Sequence, residues 1–183
     1  MKTALKYGII LGLVNILSLL ILNFIKPDLL FNIKLSFALG FIYSILTLIL
    51  GLREERNNNH GILTFGDGLK NTFISYAMGI LIGGIFNYAL INHIDDSLIE
   101  RALEFSLKIT EDTLIWTADI MGWSEAQKDK ALEELNSPEA IEKMKSNFDL
   151  STIILNSLVA IIFPGFLYWL IIPAIMKRNP AEV

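Results

Sequence analysis

The stretch LREERNNNHGILTFGDGLKNTF, residues 52–73, gathers ten charged or amide side chains and three glycines between two apolar runs. Its centre, from Thr64 to Lys70, has the ingredients of a phosphate cradle: glycines that let backbone N–H groups reach an anion, and a lysine to neutralise it. A phosphate loop also needs a preceding strand and the spacing Gly-x-x-x-x-Gly-Lys-Ser/Thr. Gly61 and Gly66 have that spacing, but Asp67 follows them, and its charge repels phosphate. Thr64 with an acid three residues later instead has the form of a helix N-cap, the acid sitting where the helix dipole is positive. The stretch reads as a turn and a cap.

Other reactive side chains are sparse. His60 and His93 are the only histidines, and cysteine is absent, which excludes disulfides, thiolate metal sites and cysteine nucleophiles. No Ser/His/Asp set, catalytic carboxylate pair or His-x-x-Glu-His motif supports hydrolysis. Asp95, Asp96, Glu111 and Asp112 carry charge that calcium favours, but without the spacing of a calcium loop they read as a solvated face. The sequence therefore assigns no catalytic, cofactor-binding or metal residue, and the expectation is a protein that is not an enzyme. The remaining polar groups of interest are the amides Asn15, Asn87 and Asn156, with Asn23, all set in apolar surroundings. They read as interhelical glue; lining a solute path is the alternative.

The elements that position these amides are four uncharged blocks: 7–25, 35–52, 72–92 and 150–176. Hydrophobic residues make up 53% of the chain and the mean hydropathy is +0.52, yet every Asp, Glu, Lys and Arg falls between the blocks. A helix rises ~1.5 Å per residue and a bilayer core is ~30 Å thick, so runs near 20 residues span it. The fold class is all-α: a polytopic membrane protein of four transmembrane helices with a small extramembrane helical segment between the third and fourth. Four spans put both termini and the 53–71 loop on one side, which carries seven basic and four acidic residues. The other side carries eight and fifteen. Basic residues near span ends stay cytoplasmic, so the termini are expected in the cytoplasm and the chain in an inner membrane.

Small residues recur at four-residue spacing: Gly8 and Gly12 in the first span, Gly40 between Ser36 and Ser44 in the second, Gly79 and Gly83 in the third. Such stripes let helix backbones approach closely. The runs YGIILGLVNIL (7–17) and MGILIGGIFNYAL (78–90) share a Gly-x-x-x-Gly and a following Asn, which fits either a duplicated hairpin or chance likeness. In the last span Pro164 predicts a kink, and Pro173 marks where that helix is expected to fray.

Residues 93–149 hold fourteen of the nineteen acids. A stripe of Ile94, Leu98, Ala102, Phe105, Ile109, Thr113, Trp116, Ile120 and Trp123 has helical period. Ser124 with Gln127, then Ser137 with Pro138, start two shorter helices, whose Ala131, Leu132, Leu135, Ile141, Met144 and Phe148 are expected to cover the stripe. The result is an acidic helical cap on the periplasmic side. Its charge disfavours anionic lipid and nucleic acid.

MKTALKYGIILGL, LTFGDGLKNTF, YALINHIDD and LIIPAIMKR occur in an order that resembles an uncharacterised bacterial membrane family, domain of unknown function 4199, common in Bacteroidetes. The resemblance implies a four-helix inner-membrane protein and carries no activity and no site residues. The sequence thus points to a non-enzymatic membrane subunit or scaffold. Its expected partners are the lipid bilayer and a second copy or a membrane or periplasmic protein. A small channel or carrier for a neutral solute is the alternative. No cofactor is expected.

Overall fold

A computed structural model describes residues 1–25, 29, 30, 32–95, 97–163 and 165–178, with only the backbone of Ile33. Eight α-helices follow in order: α1 (Lys2–Ile25), α2 (Ile33–Asn58), α3 (Phe65–Ala89), α4 (Ser97–Met121), α5 (Glu125–Leu135), α6 (Pro138–Lys145), α7 (Leu150–Ile162) and α8 (Gly165–Met176). A π turn, Leu90–Ile94, extends α3, and a 3₁₀ turn, Ser146–Phe148, precedes α7. Four helical stretches are long and apolar enough to cross a membrane: Lys2–Ile25, Lys34–Asn58, Phe65–Ile94 and Leu150–Met176. Among the described residues there is no strand, so the protein is an all-α membrane protein. The chain divides into two compact units, Met1–Asn87 with Ile154–Val183, and Tyr88–Ile153.

The first unit holds α1, α2, α3 and α8 around a core of Leu11, Leu48, Leu52, Leu63, Tyr76, Tyr168 and Ile172. Leu13, Leu17, Ile21, Ile42 and Leu46 face outward instead. Apolar side chains on both the inside and the outside suit helices that are hydrophobic all round, as a membrane requires. α2 runs beyond its apolar block through Arg53 and Arg56 and stops at Asn58. His60 and Gly61 take left-handed backbone angles, φ 52° and 88°, and the chain reverses there. Thr64 then caps α3: its hydroxyl oxygen accepts the Asp67 N–H at 3.1 Å and its proton goes to the Asp67 carboxylate at 2.6 Å. Leu63 exchanges two backbone hydrogen bonds with Arg178, at 3.0 and 2.8 Å. The turn between α2 and α3 is thereby tied to the chain leaving α8.

Between α7 and α8 the helix breaks, α7 ending at Ile162 and α8 starting at Gly165. Pro164, the expected kink, lies outside the described residues. A Cβ on Gly165 would stand 2.7 Å from the Tyr76 ring, so this position admits only glycine without rearrangement. The Trp169 indole N–H donates to the Ile161 carbonyl at 3.1 Å, meeting one acceptor exposed by the break. Pro173 departs from expectation: α8 does not fray there but continues to Met176, with Pro173 fully buried. The reason is packing, because Gly68 of α3 leaves room for the proline ring; a Cβ on Gly68 would come within 2.9 Å of it.

In the second unit, α4 starts behind Asp95, whose carboxylate accepts the Ser97 N–H at 3.2 Å and its hydroxyl at 2.6 Å. Ser124 and Gln127 form a capping box at α5, and the Ser137 hydroxyl caps α6 ahead of Pro138. Lys128 of α5 reaches back to Asp119 of α4 at 2.7 Å and also holds Glu125 at 2.8 Å. Its hydrogen bonds to Asp119 and then Glu125 raise its pKa above the usual lysine value.

The covered face of α4 differs from the expected one. Leu103 and Ala118 are buried and Leu107 and Leu114 half-buried, on one line. Of the expected stripe, Leu98 and Ala102 are buried, whereas Ile109, Trp116, Ile120 and Trp123 are exposed, Trp116 at 65%. The two lines lie about 140° apart around the helix, at 3.6 residues per turn. α4 carries apolar side chains on both, and the small Ala118, next to the turn at Gly122 (φ 70°), lets the returning chain approach on its side. The Trp123 N–H closes that turn onto the Ala118 carbonyl at 2.9 Å.

Candidate functional site

The seam between α1 and α3 is where the sequence-marked small residues converge. Added Cβ atoms would meet Met78 at 2.8 Å from Gly8, Ile82 at 2.6 Å from Gly12, Leu11 at 2.6 Å from Gly79 and Asn15 at 3.0 Å from Gly83. Each Gly-x-x-x-Gly therefore receives side chains of the other helix, reciprocally, with the two helices parallel. Contacts under 3.0 Å leave no room for a methyl group, so the helices touch backbone to side chain along two turns. Polar groups then fasten the seam. The Ser75 hydroxyl donates to the Ala4 carbonyl at 3.0 Å, and the Asn15 amide donates to the Gly79 carbonyl at 3.3 Å.

At the end where α1 begins, the polar groups form pairs. Lys6 donates to Glu54 at 2.6 Å, and the Tyr7 hydroxyl donates to the same carboxylate at 3.1 Å. Buried Asn71 donates to Glu55 at 3.3 Å. A cavity of about 150 Å³ lies beside them, lined by Met1, Ala4, Glu55, Asp67, Lys70 and Asn71. Small-molecule sites usually enclose ~300–1,000 Å³ with mostly apolar walls. This one is smaller and charged, and it matches a solvated seam between helix ends better than a substrate pocket. His60 sits in the turn after α2, while His93 sits in the π turn with its ring edge-on to Tyr88 at 5.4 Å. Asp95 precedes α4 and Glu111 lies about 20 Å along that helix from Ser97, at 1.5 Å per residue, so the acids do not converge on one point. Asp96 lies outside the described residues.

Two parallel spans locked by reciprocal glycine contacts, followed by an acid-rich helical segment and a broken last span, make one continuous pattern. The model of the family described as "Protein of unknown function (DUF4199)" matches residues 6–178, the whole of that pattern. The chain belongs to this family. No curated protein and no solved structure matches it.

Within this DUF4199 chain the remaining sequence-marked residues lie apart from the seam. Gly40 faces only Tyr43 of its own helix, with the ring hydroxyl 3.6 Å from an added Cβ. Asn87 is half-buried and Asn156 exposed, and neither side chain forms a hydrogen bond among the described residues. The three amides do not form one hydrogen-bonded group. Three close-packed glycines were missed by the four-residue stripes: Gly51 against Tyr7 at 3.1 Å, with Gly68 and Gly165. None of them stands four residues from another glycine, so no Gly-x-x-x-Gly spacing signals it. Asn92 was also passed over. Its amide donates to the Tyr88 and Phe148 carbonyls, both at 3.1 Å, tying the two ends of the second unit.

Proposed function

We propose that this protein is a non-enzymatic membrane subunit or scaffold of a bacterial inner membrane, with both termini in the cytoplasm, that engages itself or a protein partner. The α1–α3 seam carries the reading. A conduit for neutral solutes needs polar groups facing a space, and here Asn15 and Ser75 are bonded to backbone carbonyls in a contact too tight for a methyl group. The orientation draws support from the meeting of the α2–α3 turn with the chain leaving α8, at the end that carries Lys6, Arg53 and Arg56.

The test is to crosslink the tagged chain in native membranes, purify it in mild detergent and identify what accompanies it by mass spectrometry. A stoichiometric partner or a defined oligomer supports the reading. A monomer that conducts a neutral solute such as glycerol in liposomes, with flux lost on Asn15→Leu, would overturn it in favour of a channel.

A further inference from the structure

We infer that a second copy of this chain covers the outward face of α7, and that Asn156 of each copy hydrogen-bonds Asn156 of the other. The inference rests on the subunit reading above and names its partner. From Ile154 to Ile162 no residue is charged, and Asn156 is the sole exposed polar side chain, since Ser157 points inward and is buried. Around it Leu155, Leu158, Val159 and Ile162 are exposed, and Phe163 follows one turn beyond Val159. Asn156, Val159 and Phe163 stand at i, i+3 and i+7, the spacing of a helix–helix seam.

Hydrocarbon offers a carboxamide no hydrogen-bond partner, so an amide facing lipid within an apolar span is under pressure to find one on another helix. The chemistry of the amide selects which. It carries both donors and an acceptor, so two identical amides facing each other exchange a pair of N–H···O bonds, each giving one and accepting one. All copies insert in the same orientation, so a twofold axis along the membrane normal sets two α7 helices parallel and places like-numbered residues opposite each other. The exposed segment bears no charge that would repel a copy of itself. It also bears none that would select a charged partner.

The absence of cysteine makes the test direct. Val159→Cys gives the full-length protein a single thiol beside Asn156, and oxidation in native membranes reports its partner on a non-reducing gel. A disulfide-linked dimer is expected, well above that formed by Leu13→Cys on the outward face of α1. Adding Asn156→Leu should lower the dimer fraction about tenfold, while Asn156→Gln should largely keep it. Asn156 is exposed, so an unchanged thermal unfolding profile of the Leu variant verifies that the fold is intact. A Val159→Cys dimer no stronger than the Leu13→Cys control, or one indifferent to Asn156→Leu, overturns the inference. Copurification of a different stoichiometric protein without the thiol dimer would leave the subunit reading standing and defeat only the self-pairing.

Discussion

Ser75 sends its hydroxyl across to the Ala4 carbonyl of another helix, whereas Thr113 returns its hydroxyl to Ile109, one turn back on its own. The contrast runs through both units. In the first, Asn15 and Asn71 also bond across helices. In the second, Thr110, Thr113 and Thr117 all donate to carbonyls four residues earlier, at 2.7–2.8 Å. The membrane helices have no hydrophobic drive toward each other in lipid, so close packing and interhelical hydrogen bonds must choose their partners. α4 packs on α5 and α6 in water, where burial of apolar side chains such as Leu103 and Ala118 supplies the drive and the Lys128–Asp119 pair adds to it. The threonine hydroxyls of α4 are thus satisfied one turn back on their own helix, whereas Ser75 of α3 spends its hydroxyl on a neighbouring one.

Several substitutions break or sharpen that contrast. The largest effect is expected from Gly79→Leu, which drives a side chain into buried Leu11. A loss of about 3 kcal/mol, or failure to fold, should appear in thermal unfolding in detergent. Gly40→Leu, in the same kind of stripe but facing only its own helix, should stay within about 0.5 kcal/mol of wild type. Next in size, Trp169→Phe removes the indole N–H from the Ile161 carbonyl and should cost about 2 kcal/mol. Smaller again, Ser75→Ala should cost about 1 kcal/mol, against less than about 0.5 for Thr113→Val. Equal losses from that pair would abolish the distinction between the units. The least effect concerns Lys128. Its raised pKa means the ion pair stabilises α5 fully below the ordinary lysine value and loses that contribution only as pH rises through the higher folded value. Unfolding followed by circular dichroism should therefore show no Lys128-dependent change from pH 7 to 9. A gap between wild type and Lys128→Met that varies across that range would contradict the pairing.

Local chemistry made much of this legible. Ser124 with Gln127, Thr64 with Asp67 and Ser137 with Pro138 announce helix starts because a cap depends on three or four consecutive residues. The tie from Asn92 to Phe148 and the close contacts of Gly51, Gly68 and Gly165 were illegible, because those partners are far away in sequence. The stripe on α4 was misread for a related reason: two apolar lines share the helix, and the turn at Gly122 brings the returning chain to only one.

The sequence by itself determined that four uncharged runs cross a membrane, where capped helices such as α3, α5 and α6 start, and that the acids gather between the third and fourth. Those properties depend on the cost of charge in hydrocarbon and on bonds within one turn. The tertiary structure alone decided that α1 pairs with α3, that Gly40 stands aside, and that Asn15 turns inward while Asn156 turns out. Helices apolar on every face carry no periodic signal of which side is buried. Glycine permits a close approach without naming the partner, so the choice falls to how the side chains of two particular helices interlock.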